Sequence, residues 1–170
     1  MVEPHVVLNG LDDREAQERL RRACGAERWV TNMLARRPFA STAALLDAAE
    51  GIWQGLGAED QLEAFQHHPQ IGEDLAELAR RFAGSADLAA AEQAGVQAAD
   101  PLTLLALGDA NRAYRERFGF IFIICATGKT AAEMLTALRA RLDNDRATEL
   151  SIAATEQARI TRLRLQGLGA

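Results

Sequence analysis

The sequence predicts an all-α fold: a bundle of eight or nine helices with one short extended segment near 119–126. Three observations carry that expectation. Alanine makes up roughly a fifth of the 170 residues, and leucine, arginine and glutamate, the other good helix formers, are abundant. Apolar residues recur with helical spacing almost throughout. The single break in that period, Gly119-Phe120-Ile121-Phe122-Ile123-Ile124-Cys125-Ala126, is β-branched and aromatic.

Ala16, Leu20, Ala23 and Cys24 fall on one face of a segment starting near Asp12, and Trp29, Val30, Met33 and Leu34 form a second stripe. Ser41 is a good cap for a third helix, whose stripe is Leu45, Ala49, Ile52, Trp53 and Leu56. A short helix around Asp60–Gln66 leads into the loop His67-His68-Pro69-Gln70-Ile71-Gly72. Leu75, Leu78, Ala79 and Phe82 then give an i, i+3, i+4, i+7 face, and Ser85 can cap a helix to about Gln97. Asp100-Pro101 pairs a cap with proline at the first helical position, opening a helix to about Phe118. Gly119 and Gly128 bracket the extended stretch, which has no second strand to pair with, so its backbone groups need another use. Thr130-Ala131-Ala132-Glu133 is a capping box. Asp143-Asn144-Asp145 breaks the chain and caps a final helix to about Gln166.

The length suits one domain, taken as 1–170, able to bury a core without disulfides or metal. A net charge of −5, with Lys129 the only lysine, argues against sequence-independent nucleic-acid binding. No apolar run reaches a membrane span. The first ten residues lack the pattern of a secretory signal, and Leu168-Gly169-Ala170 is not a peroxisomal address. Cys24 and Cys125 are far apart with no CxxC, which reads as free thiols in a reducing, cytoplasmic compartment.

Four places could carry chemistry. His67-His68-Pro69 offers an imidazole in a loop, with Pro69 biasing His68 towards an extended conformation, though a solvated loop histidine explains the residues as well. Ala89, Glu92 and Gln93, at i, i+3 and i+4, share a helix face among small neighbours, or form a plain solvated turn. Arg159, Arg162 and Arg164 either complement a helix C-terminus or supply one planar fork for an anionic or amide-bearing substrate. The stretch 118–126 is either a hydrophobic plug or a row of backbone groups lining a pocket. His5, His67, His68, Cys24 and Cys125 lack metal-ligand spacing, and there is no phosphate loop, GxGxxG or nucleophile elbow.

An ordered set of motifs goes further. It runs from Leu8-Asn9 through Cys24, Trp29-Val30, Arg37-Pro38-Phe39, His68-Pro69 with Ile71-Gly72, Glu92-Gln93 and Ala94-Gly95. It continues with Asn111, Tyr114, Phe118-Gly119-Phe120, Phe122, Arg141-Leu142-Asp143-Asn144, Glu149 and Ile160 to Arg164-Leu165. In this order and spacing the chain resembles the OHCU decarboxylase family, which acts on 2-oxo-4-hydroxy-4-carboxy-5-ureidoimidazoline in urate degradation. The resemblance implies an all-α homodimer that needs no cofactor and releases CO2 to give (S)-allantoin. It implies His68 and Glu92 as catalytic residues and Pro69, Ala89, Gln93 and Arg164 as substrate contacts, with Arg162 the alternative arginine. It also implies that the backbone of Ile121, Phe122, Ile123 and Ile124 holds the heterocycle or ureido amides. Two departures stand out: Ala89 occupies a position where the family usually has serine, and Ile121 one where it often has proline. The rival readings are a helical dimeric interaction module that has lost activity, and a lyase or hydrolase for another ureido compound.

Overall fold

The computed structural model describes residues 2–68 and 101–170. The expected helices around Leu75–Phe82 and Ser85–Gln97, with Pro69, Ala89, Glu92 and Gln93, lie outside the described residues. Those residues form eight α-helices and no strand: α1 Pro4–Gly10, α2 Asp13–Ala23, α3 Glu27–Ala35, α4 Thr42–Gln54, α5 Ala58–Gln66, α6 Pro101–Phe118, α7 Ala131–Arg141 and α8 Arg146–Gln166. A 3-10 turn, Gly167–Gly169, follows. The chain divides into two compact units, one of residues 1–67 and 154–170, the other of residues 68–153.

In the first unit the caps sit where the sequence puts them. Asp12 accepts a hydrogen bond from the Glu15 N–H at 2.8 Å, and Ser41 Oγ accepts one from the Ala44 N–H at 3.0 Å. The α2 stripe of Ala16, Leu20 and Ala23 is buried, as are Trp29, Val30 and Met33 of α3 and Leu45, Ala49, Ile52 and Trp53 of α4. Burying each large apolar side chain contributes about 1.5–3 kcal/mol before entropy is counted. Both indoles also satisfy their N–H: Trp29 donates to the Ala49 carbonyl at 3.0 Å and Trp53 to the Ala154 carbonyl at 3.0 Å. Two motif pieces far apart in sequence meet here. The Asn9 side chain exchanges hydrogen bonds with the Phe39 backbone at 2.8 and 2.9 Å, and Arg37 donates to the carbonyls of Asn9 and Leu11.

The unexpected element is α1. Its seven residues are too few for a periodic signal. Pro4 in its first turn is a start signal, Leu8 is fully buried, and α1 packs against the closing 3-10 turn.

In the second unit α6 packs on α7. Gly119, at φ +78°, turns the chain out of α6 into the extended segment. Gly128, at φ +76°, is the third residue of the turn Ala126–Lys129, closed by a 2.9 Å bond from the Lys129 N–H to the Ala126 carbonyl. The capping box at Thr130 and Glu133 opens α7. Asp145 accepts from the Thr148 N–H at 2.9 Å and caps α8. The first eight residues of α8 belong to this unit and the remainder to the other.

Candidate active site

The two histidines of the loop have different surroundings. His67 is the C-cap of α5, and its Nδ1 lies 3.0 Å from the Glu63 carbonyl oxygen. Its ring also rests on Gly25: a methyl group built there would stand 2.3 Å from Cγ of His67. His67 is thus tied to its own unit by a helix-end bond and by a contact only glycine permits. His68 follows it, half-buried, at the start of the other unit. Glu92 and Gln93, which the resemblance groups with His68, lie outside the described residues, as do Pro69 and Ala89.

The extended segment packs as the hydrophobic plug that one of the two readings describes. Phe122 and Ile123 are buried, whereas Ile121 and Ile124 are half-buried. The rings form a packed cluster with Tyr114: centroids lie 4.6 Å from Phe118, 5.3 Å from Phe122 and 5.8 Å from Phe120. Among the described residues, the backbone groups of Ile121, Phe122 and Ile124 have no hydrogen-bond partner. The Ile123 carbonyl accepts from Arg141 Nη1 at 2.8 Å. A plug on one side is therefore compatible with unused backbone groups along the same residues.

Sequence reasoning did not foresee what anchors this segment. Glu149 is 0% exposed, and its carboxylate accepts from the Tyr114 hydroxyl at 2.5 Å, Arg141 Nε at 2.5 Å and Asn144 Nδ2 at 2.9 Å. Arg141 also stacks over the Phe122 ring at 4.5 Å. Burial, then the bond to Glu149, pushes the Tyr114 hydroxyl far above its ordinary value, with the Arg141 charge opposing. A buried carboxylate persists only when its lone pairs and charge are met, and here three side chains meet them. The sequence shows Arg141, Asn144 and Glu149 as members of one motif set, but their common target depends on two helices and the loop between them meeting.

The two arginines offered for the substrate face different ways, as residues two apart on a helix must. Arg164 Nη1 donates to the carbonyls of Arg22 at 3.0 Å and Ala23 at 3.4 Å, at the C-terminal end of α2. That bond satisfies orphan helix carbonyls and complements the dipole there. Arg162 instead lines a groove between α4 and α8 with Leu46, Trp53 and Thr161, its guanidinium 4.0 Å from Glu50. Cys24 is buried beside this end of α2, and burial pushes its thiol up to about 11. Among the described residues no group of three or more His, Cys, Asp or Glu side chains is placed to hold a metal, and no helix is long and apolar enough to cross a membrane.

The OHCU decarboxylase family profile matches residues 9–166. The uric acid degradation bifunctional protein TTL of Arabidopsis thaliana is 38% identical over 85% of this chain and 44% of its own length. The 2-oxo-4-hydroxy-4-carboxy-5-ureidoimidazoline decarboxylase of Amia calva is 37% identical over 78% of this chain and 74% of its own. A crystal structure of an OHCU decarboxylase in the presence of (S)-allantoin superposes with a TM-score of 0.73 at 33% identity, covering 93% of this chain and 98% of that one. The chain thus spans less than half the length of the bifunctional relative.

Proposed function

The chain belongs to the OHCU decarboxylase family, and on that premise we propose that it decarboxylates 2-oxo-4-hydroxy-4-carboxy-5-ureidoimidazoline to (S)-allantoin and CO2, a late step of urate degradation. The observation that supports this most is the family match over residues 9–166, together with the same fold in a relative crystallised with (S)-allantoin.

In this reading the bond to the departing carboxylate breaks, its electron pair enters the imidazoline ring, and one proton returns to a ring carbon. The protein's task is to place donors where that charge develops and to avoid holding the carboxylate so well that the ground state gains more than the transition state. His68 moves the proton, as an imidazole can near neutral pH, and delivery to one face sets the S configuration. Glu92 assists CO2 release, Gln93 and the backbone of 121–124 hold the amides, and Arg164 orients the substrate. His67, tied to Glu63 and Gly25, is the structural histidine of the pair.

The chain works without metal or organic cofactor, as a single domain over 1–170 that pairs into a homodimer in the cytoplasm. Cys24 and Cys125 form no disulfide, which suits a reducing compartment. The test generates the substrate in place from urate with urate oxidase and hydroxyisourate hydrolase and follows circular dichroism. Faster growth of the (S)-allantoin signal than in the spontaneous reaction supports the reading. A folded protein that leaves that rate unchanged overturns it and favours a helical module without activity.

A further inference from the structure

We propose that Arg141 is a positioning residue for this reaction: held on buried Glu149, it fixes the Ile123–Ile124 peptide so that the Ile124 N–H is presented as a donor to the substrate's ring. The inference rests on the decarboxylase reading above and goes beyond it by assigning how the backbone contact is built.

Arg141 is 11% exposed. Its Nε bonds Glu149 at 2.5 Å, and Nη2 forms an ion pair with the same carboxylate. Nη1 donates to the Ile123 carbonyl at 2.8 Å. The plane of the group lies over Phe122, 4.5 Å from its centroid. Thus one rigid fork grips the segment twice, by a carbonyl and by the neighbouring ring, and is itself braced by a carboxylate that Tyr114 and Asn144 hold from two other directions. Nothing else among the described residues bonds the backbone of Ile121, Phe122, Ile123 or Ile124.

The peptide between Ile123 and Ile124 is not among the cis bonds of the chain, so its N–H points opposite to its carbonyl. With the carbonyl turned onto Arg141, the Ile124 N–H faces away from the anchor. It has no partner among the described residues, although its residue is half-buried. A backbone N–H without a protein partner is met by a ligand or by water. The cation on the carbonyl also polarises the peptide, which strengthens the N–H as a donor. A donor of that kind gains most when negative charge builds on the ring as CO2 leaves. Substitution by lysine would retain charge but lose the fork and the stacking.

The test uses the full chain labelled with 15N-isoleucine, with (S)-allantoin as probe, beside turnover of in-situ OHCU. In the wild type, allantoin should move the Ile124 amide resonance. Arg141→Lys, at a temperature where its helical signal equals wild type, should raise the allantoin Kd and the KM for OHCU about tenfold or more, while His68→Ala lowers kcat and leaves the Kd near wild type. Phe122→Leu, which removes the ring under the guanidinium and keeps the buried ion pair, should raise KM in the same direction. It decides the matter if Arg141→Lys does not fold. A folded Arg141→Lys, or failing that Phe122→Leu, with Kd and KM within twofold of wild type overturns the proposal alone, as does an Ile124 resonance that allantoin leaves in place. A wild type without turnover overturns the decarboxylase reading and the inference with it.

Discussion

At the residue scale, the proposed reading assigns chemistry to His68 and structure to its neighbour His67. His68→Ala should lower kcat by about 10²–10⁴, the usual worth of a general acid or base, with little change in stability. His67→Ala should keep nearly full activity and cost about 0.5–1.5 kcal/mol, the net value of its bond to the Glu63 carbonyl. Steady-state kinetics and thermal melts of both variants check this; exchanged phenotypes would reverse the assignment. Gly25 offers a second check, because an added methyl would stand 2.3 Å from the His67 ring. Gly25→Ala should therefore destabilise by about 1–3 kcal/mol, as overpacking does, read as a lowered melting temperature. Unchanged melting would mean that His67 moves aside freely. His68 was legible as a candidate because proline follows it, whereas the role of Gly25 depends on a contact between residues 42 positions apart, which no local pattern encodes. For the same reason Glu149 read only as one member of a motif. Its burial among Tyr114, Arg141 and Asn144 is a property of three segments meeting.

At the element scale, helix starts were the most legible feature, since a cap acts within three residues of itself. Asp12, Ser41, Thr130 and Asp145 all accept the bonds that their types suggest. Ser41→Ala should cost about 1 kcal/mol and lower the melting temperature by about 2–4 °C, with activity per folded molecule unchanged. A calorimetric scan measures it, and no shift would mean that tertiary packing alone holds the first turn of α4. The extended segment was legible as a break in period but not in its attachment, which depends on α7 and α8 side chains. Helix α1 escaped because seven residues give no periodicity and its one fully buried side chain, Leu8, is met by long-range packing. Both faces of the α8 end read as basic, and only the structure separates Arg164 on the α2 carbonyls from Arg162 beside Glu50.

At the scale of the whole molecule, stability should fall at both ends of the pH range. Glu27, Glu133 and Asp145 are held below their ordinary values, Glu27 by Arg21 and the other two by backbone and hydroxyl donors at helix starts. A depressed folded pKa gives stability that is present above the unfolded value and lost as pH falls through the folded one, so melting should drop below about pH 4. Cys24 and Tyr114 are raised, chiefly by burial, the thiol from 9.0 to about 11. Their contribution is complete below the unfolded values and is lost as pH rises through the folded ones. Melting should therefore drop again above about pH 9, and Cys24→Ala should flatten the onset of that alkaline limb. A limb unchanged by the variant would assign the alkaline loss elsewhere. Chelator treatment followed by dialysis should leave OHCU turnover intact, and activity restored only by added zinc would refute a cofactor-free site. The division of the chain also bears on how it is made. Residues 1–67 leave the ribosome before residues 154–170, which complete their unit. Until those follow, at about 5–20 residues per second, a wait of roughly 5–20 s leaves the Trp53 indole without the Ala154 carbonyl and the end of α2 without Thr161 and Arg164. The nascent N-terminal helices are thus an incomplete core during elongation, with apolar faces available to chaperones, whereas residues 68–153 emerge as one uninterrupted run.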